Sequence, residues 1–167
     1  MKVRDISLIA LFVTLTVVGS QISIPIGTVP ITLQVLMIFL TGYFLKPFQA
    51  LLTQIIYLLL GIVGLPVFAG FSGGIVHLFG PTGGYLLAFP IAALIVAFSK
   101  KDYFSMFLYG IFGLLVIYLL GFSVLAYHLK SFSKAFMVGV LPFIGIDFVK
   151  MILAVIISKR VLRVVEV

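Results

Sequence analysis

Charge is scarce in this chain, and cysteine is missing altogether. Only 9% of its 167 residues are Asp, Glu, Lys or Arg, against 63% hydrophobic residues and a mean hydropathy of +1.40. That balance excludes an ordinary water-soluble domain and makes lipid the solvent. Without cysteine there are no disulfides, thiolate metal sites or cysteine nucleophiles. No Gly-Lys-Ser or Gly-Lys-Thr follows a glycine-rich stretch, so the chain lacks a Walker A cradle and cannot hydrolyse ATP alone. The net charge of +7 would suggest nucleic acid in a soluble protein, but the basic residues are scattered between apolar runs. Their placement reads as membrane topology.

A bilayer core takes about 20 apolar residues per helical span, so a chain of this length holds about six spans with short connections. The expected fold is therefore all-α: one transmembrane domain with spans at about 6–20, 31–45, 48–63, 85–98, 104–126 and 136–158. The basic start Met1-Lys-Val-Arg4 before the apolar run Ile6 to Val18 resembles a secretory signal. No small-x-small cleavage site and polar mature sequence follow it, so a first span is the simpler reading. Two stretches are too broken to be one helix. Gln21 to Pro30 carries Pro25, Gly27 and Pro30, and Gly64 to Gly84 carries seven glycines and two prolines without a charge. Such backbone has to face water or protein, because lipid offers it no hydrogen bonds. The aromatics Phe68, Phe71, Phe79 and Tyr85 flank it, and it forms either a lid over a pocket or plain connections. Tyr57-Leu-Leu-Leu-Gly61 faintly echoes Tyr118-Leu-Leu-Gly121, which chance explains in a sequence this rich in leucine.

Six spans place both termini on one side, and the loop charges test that arrangement. Lys2, Arg4, Lys46, Lys100, Lys101, Lys159, Arg160 and Arg163 fall on the terminal side, and Lys130 and Lys134 on the other. By the positive-inside rule the N- and C-termini are cytoplasmic and the two Gly/Pro-rich loops face outward.

Of the fifteen charged residues, Asp147 and Lys150 alone sit well inside an expected span. Each is unfavourable by roughly 2.5–3.5 kcal/mol near a helix centre, so their presence requires a reason. At i and i+3 they share a helix face and can neutralise each other. A self-satisfied structural pair is one reading. A recognition pair in an apolar pocket is the other, with Asp147 accepting N–H groups and Lys150 taking an anionic group. His77 and His128 lack a second ligand at metal spacing and read as ordinary polar loop residues. Ser7, Ala10 and Thr14 form a small-residue face on the first span, suited to packing within the chain or to a partner helix.

The motifs Val29-Pro-Ile-Thr-Leu-Gln34, Gly64-Leu-Pro-Val-Phe-Ala-Gly70, Gly73-Gly74, Gly80-Pro-Thr-Gly-Gly-Tyr-Leu86 and Asp147-x-x-Lys150 resemble those of the BioY family, the biotin-specific S components of energy-coupling factor (ECF) transporters. The resemblance runs from Ala10 to Lys150. It implies a six-helix cell-membrane protein that captures biotin from outside and docks on a transmembrane scaffold, the T component, driven by two cytoplasmic ATPase subunits. ATP is then used only by those partners, and the chain itself is neither an enzyme nor a cofactor protein. The resemblance also implies site residues: Asp147 for the ureido N–H groups and Lys150 for the valerate carboxylate, with reversed or shared roles as the alternative. Thr82, Gly83, Gly84 and Tyr85, with Gly73, Gly74 and Phe68, would wall the bicyclic ring, and Gln34 would add a polar contact. S components commonly carry two alanines four apart on the first helix as the scaffold contact; here the pair is Ala10 and Thr14.

Biotin's chemistry suits these residues on physical grounds as well. It combines an anionic end, an apolar ring and a hydrogen-bonding ureido group, and the sequence supplies one buried acid, one buried base and many Phe and Tyr residues. Three rivals remain: an S component for another small anionic vitamin, a membrane-embedded enzyme, and an assembly subunit. The enzyme would call for a cluster of His or carboxylates near the membrane surface, which the sequence lacks.

Overall fold

Where apolar residues run on uninterrupted in lipid, the backbone has to bond to itself, and helix is the local way to do so. A computed structural model, which describes residues 2–165, follows that rule. The helices are α1 (Val3–Gln21), α2 (Gln34–Phe44), α3 (Pro47–Ile62), α4 (Val76–Phe79), α5 (Gly83–Ala97), α6 (Tyr103–Leu129), α7 (Phe132–Gly139) and α8 (Leu141–Val165). Three helical stretches are long and apolar enough to cross a membrane: Val3–Gln21, Tyr103–Leu129 and the interrupted Phe132–Val164. Leu11, Leu115, Leu119 and Leu153 point outward from them, as side chains facing lipid tails do.

Local chemistry sets the boundaries. Pro47 opens α3 at a position where its missing N–H costs nothing. Asp102 caps α6 by accepting from the Ser105 amide at 2.8 Å. The basic link expected from Tyr127 to Lys134 is much shorter than anticipated. Helix α6 runs on through Leu129, Lys130 turns with a left-handed φ of 48°, and Ser131 caps α7 by accepting from the Lys134 amide. The expected last span is correspondingly two helices. Pro142 has no amide to offer the preceding turn and its ring would strike the carbonyl four residues back, so the chain breaks at Val140. The Tyr85 hydroxyl donates to the Gly139 carbonyl at 2.7 Å and holds the break in place.

The Gly/Pro-rich segments are also more ordered than plain connections. Residues of the first form a small antiparallel hairpin, β1 (Ser23–Ile24) with β2 (Ile31–Thr32), pairing Ser23 with Thr32 and Ile24 with Ile31. In the second, Phe68 and Ser72 exchange backbone hydrogen bonds, and the Gly74 amide donates to Gly61 O at 2.7 Å. Gly74 has a φ of +105°, a conformation that a side chain would strain. Gln21, at the end of α1, braces this loop from the side. Its amide nitrogen donates to Phe68 O and Pro66 O, and its carbonyl accepts from the Phe71 amide.

The remaining apolar helices, α2, α3 and α5, are short: 11, 16 and 15 residues. At 1.5 Å per residue they reach roughly 16, 24 and 22 Å, against about 30 Å of hydrocarbon. Each stops where a Gly/Pro-rich segment begins or ends, so those segments occupy the depth the helices leave open. Helices α5 and α6 pack closely against each other at two glycines. A Cβ on Gly84 would land on the Leu120 carbonyl oxygen, and one on Gly121 would enter the Tyr85 ring.

Replacing Gly84 by Val should therefore force α5 off α6 and destabilise the bundle by about 1–3 kcal/mol, the usual range for overpacking. A thermal-unfolding series in detergent reads this as a lowered midpoint. An unchanged midpoint would show that the helices do not meet there.

Candidate functional site

The N-terminal ends of α2 and α5, the flanks of α4, α6 and α8 and the two folded-back loops line a cavity of about 230 Å³. That is below the usual range for drug-sized ligands and suits a smaller molecule. Thr28 to Pro30 and Thr32 come from the hairpin, Gln34 and Val35 from α2, and Phe68, Ala69 and Ser72 from the glycine loop. His77 comes from α4, Tyr85, Leu86 and Phe89 from α5, and Ile117 and Tyr118 from α6. Helix α8 contributes Phe143, Asp147 and Lys150.

One charged cluster interrupts this largely apolar wall. Asp147 and Lys150 are 4% and 6% exposed, and the Lys150 ammonium donates to Asp147 Oδ1 at 2.7 Å. Their i, i+3 spacing on α8 produces the contact, as the sequence suggested. The second carboxylate oxygen accepts a hydrogen bond of 2.9 Å from the Tyr118 hydroxyl. The pair is thus tied across to α6 and is also part of the cavity wall. Tyr118 had no place among the residues expected from sequence. Its signal was a phenol in mid-helix within an apolar run, a hydroxyl that lipid cannot satisfy.

The other expected residues divide into two groups. Thr82, Tyr85, Phe68 and Gln34 line the cavity. Gln34 is heavily engaged already. It donates to the Tyr57 hydroxyl at 2.6 Å and accepts from Thr32, while Tyr57 donates to Val67 O. This chain of bonds fixes the glycine loop to α2 and α3. Gly73, Gly74, Gly83 and Gly84 are not among the lining residues. Gly73 lies against the Leu65 carbonyl, Gly83 against that of Leu78 and Gly84 against that of Leu120, close approaches that a Cβ would prevent. Their work in the structure is to let backbone pack behind the wall.

His77 lines the cavity as well, with its ring edge-on to Phe68 at a centroid distance of 5.7 Å. His128 lies elsewhere. Its two ring nitrogens are each 2.9 Å from a carbonyl oxygen, of Val124 and of Phe79. Among the described residues no three His, Cys, Asp or Glu side chains group as metal ligands. Ala10 and Thr14 are exposed on α1, away from the cavity, and Thr14 donates its hydroxyl to Ala10 O at 2.9 Å. Packing within the chain does not use that face.

Apolar helices enclosing a small cavity with a single buried acid–base pair define a membrane-embedded protein that binds small molecules. The chain belongs to the BioY family, whose profile matches residues 1–167. It is 53% identical over 160 residues to the probable biotin transporter BioY of Pyrococcus horikoshii, covering 96% of this chain and 97% of that one. The biotin transporter BioY of Thermotoga maritima is 43% identical over 160 residues, covering 94% and 95%. Its fold is similar to the crystal structure of the S-component for biotin from an ECF-type ABC transporter. The TM-score is 0.89 at 26% identity, and 96% and 92% of the two chains are covered.

Replacing Lys150 with Met should destabilise the protein by about 3–5 kcal/mol, because it leaves the Asp147 carboxylate buried without a counter-charge. The double variant Asp147→Asn/Lys150→Met should recover most of that loss. Thermal unfolding of the three proteins in one detergent checks both statements, and a double variant no more stable than the single would contradict them.

Proposed function

We propose that the chain is the substrate-capturing S component of an ECF-type importer, and that it takes biotin from outside into the cavity walled by Asp147, Lys150 and Tyr118. The observation that carries this reading is the buried acid–base pair set in an aromatic cavity, in a chain whose relatives are named biotin transporters. In this reading Asp147 accepts the ureido N–H groups. Lys150 donates to an oxygen of the ligand, either the carboxylate or, if the roles are shared, the ureido carbonyl. Tyr118 fixes the carboxylate of Asp147 so that its oxygens present a constant direction. Phe68, Phe89, Tyr85 and Leu86 supply the apolar surface for the ring and acyl chain. The glycines 73, 74, 83 and 84 shape that surface from behind.

Energy has to come from partners. The sequence carries no Walker A motif, and we assign ATP hydrolysis to two cytoplasmic ATPase subunits coupled through a T component. The exposed Ala10–Thr14 face of α1 is the contact we assign to that scaffold, since small residues let another helix come close. Six spans with both termini cytoplasmic complete the arrangement, in the cell membrane, on the strength of the charge asymmetry between loops.

Biotin titrated calorimetrically into the detergent-purified chain should bind. Asp147→Asn and the refolded double variant Asp147→Asn/Lys150→Met should lose at least tenfold in affinity, about 1.4 kcal/mol. Binding of a different small anionic vitamin with biotin inert would redirect the assignment. Orientation is open to a second test, made easy by the absence of native cysteine. Gly27→Cys and Lys130→Cys should react with an impermeant maleimide on intact cells, and Lys100→Cys only after permeabilisation. The reverse pattern would invert the topology.

A further inference from the structure

The cavity wall carries one negative charge, on Asp147, and one positive charge, on Lys150. Before a ligand enters, its fixed charge is zero. This inference rests on the reading that the ligand is biotin, a monoanion at neutral pH. Whichever oxygen Lys150 then contacts, Asp147, Lys150 and the ligand together sum to one uncompensated negative charge. Leaving such a charge uncompensated beside the buried Asp147–Lys150 pair is unfavourable. A proton taken from water would cancel it, and the question is which group receives it.

Asp147 is poorly placed for that role. Protonating it would remove the counter-charge of the buried Lys150 ammonium, 2.7 Å away, and leave that cation unpaired. Tyr85 and Tyr118 are acids that release protons, and neither can become a cation. The one further lining side chain that can gain positive charge is His77 of α4. Its ring makes no hydrogen bond to the described residues and rests edge-on against Phe68. The ionisable groups facing it are Asp147 and Lys150 from α8, Tyr118 from α6 and Tyr85 from α5. On the flank, His128 of α6 contacts the Phe79 carbonyl two residues along. Imidazole is also the one side chain whose ordinary titration falls between pH 5 and 8.

We infer that His77 is the charge-balancing residue of the site: it takes up one proton from solvent as the anion binds, and the resulting imidazolium pairs with the ligand's carboxylate. The balance is simple, since neutral imidazole, a proton and a monoanion give a neutral ion pair, with no covalent change. Affinity for biotin then depends on pH with a definite sign. Binding is favoured where the proton is available and weakens as pH rises through and above the imidazole range, approaching about tenfold per pH unit for a one-proton uptake.

The test is calorimetric titration of biotin into the full chain from about pH 5.5 to about pH 8.5, repeated in buffers of different ionisation heat so that protons are counted directly. The unaltered chain should show proton uptake and the rising dissociation constant. His77→Gln should bind more weakly at low pH and show a flat profile without uptake, whereas His77→Lys should be flat and tight. The uncharged methyl ester of biotin should bind without proton uptake. If His77→Gln keeps the wild-type slope, the proton goes to another group and the inference falls. Biotin binding without proton uptake in the unaltered chain overturns it equally. No heat at any pH from the unaltered chain would overturn the biotin reading beneath it, a result distinct from binding that is indifferent to pH.

Discussion

Every backbone N–H and C=O placed at membrane depth has to find a partner inside the protein, and the architecture of this chain follows from that constraint. A helix meets it locally. The segments that cannot be helical meet it by other means: a two-residue hairpin, the Phe68–Ser72 exchange, the Gly74–Gly61 bond and the Gln21 side chain that clasps three backbone groups of the loop. Because these bonds are directed inward, the loops are pulled over the bundle and enclose the cavity beneath them. The cavity is in this sense a product of how irregular backbone is made tolerable in lipid.

The same reasoning applies to the charges. A lone Asp147 or Lys150 would be expelled from the bundle, whereas the pair can be kept, and Tyr118 donates to the carboxylate oxygen that Lys150 does not contact. A polar cluster already bonded together when empty, with donors and acceptors to spare, presents a ligand with groups already oriented. Binding therefore requires exchange of partners within a fixed geometry, and little ordering of flexible side chains. Small residues allow the surrounding helices to hold that geometry. Gly84 and Gly121 bring α5 against α6, which carry Tyr85 and Tyr118 respectively.

Much of this was readable from the residues. Apolar runs located the helical stretches because their composition has no other use in lipid, and the i, i+3 spacing of Asp147 and Lys150 placed both on one face of α8 before any coordinates. Three features were not readable in that way. The contact between Tyr118 and Asp147 joins residues 29 apart in sequence, and no local pattern reports such a pairing. The break at Val140 depends on Pro142, which hydropathy averaging treats as one residue among many in an apolar run. The glycines of the 64–84 segment announced that backbone comes close to something, but periodicity does not say to what. The structure answers with the carbonyls of Leu65, Leu78 and Leu120. His77 was hidden for a related reason. Without knowing that α4 folds back over the bundle, a histidine in a glycine-rich loop is indistinguishable from a solvent-facing one.

The shortness of α2, α3 and α5 has a mechanical meaning for an importer. These helices fall roughly 6 to 14 Å below the thickness of the hydrocarbon layer, and the cavity lies at the N-terminal ends of α2 and α5. With the Gly/Pro-rich loops outward, as proposed above, a molecule held there has left the aqueous surface and lies part of the way through the barrier. What then separates it from the other side is the length of two abbreviated helices, so the journey that remains to be powered is shorter than the membrane is thick.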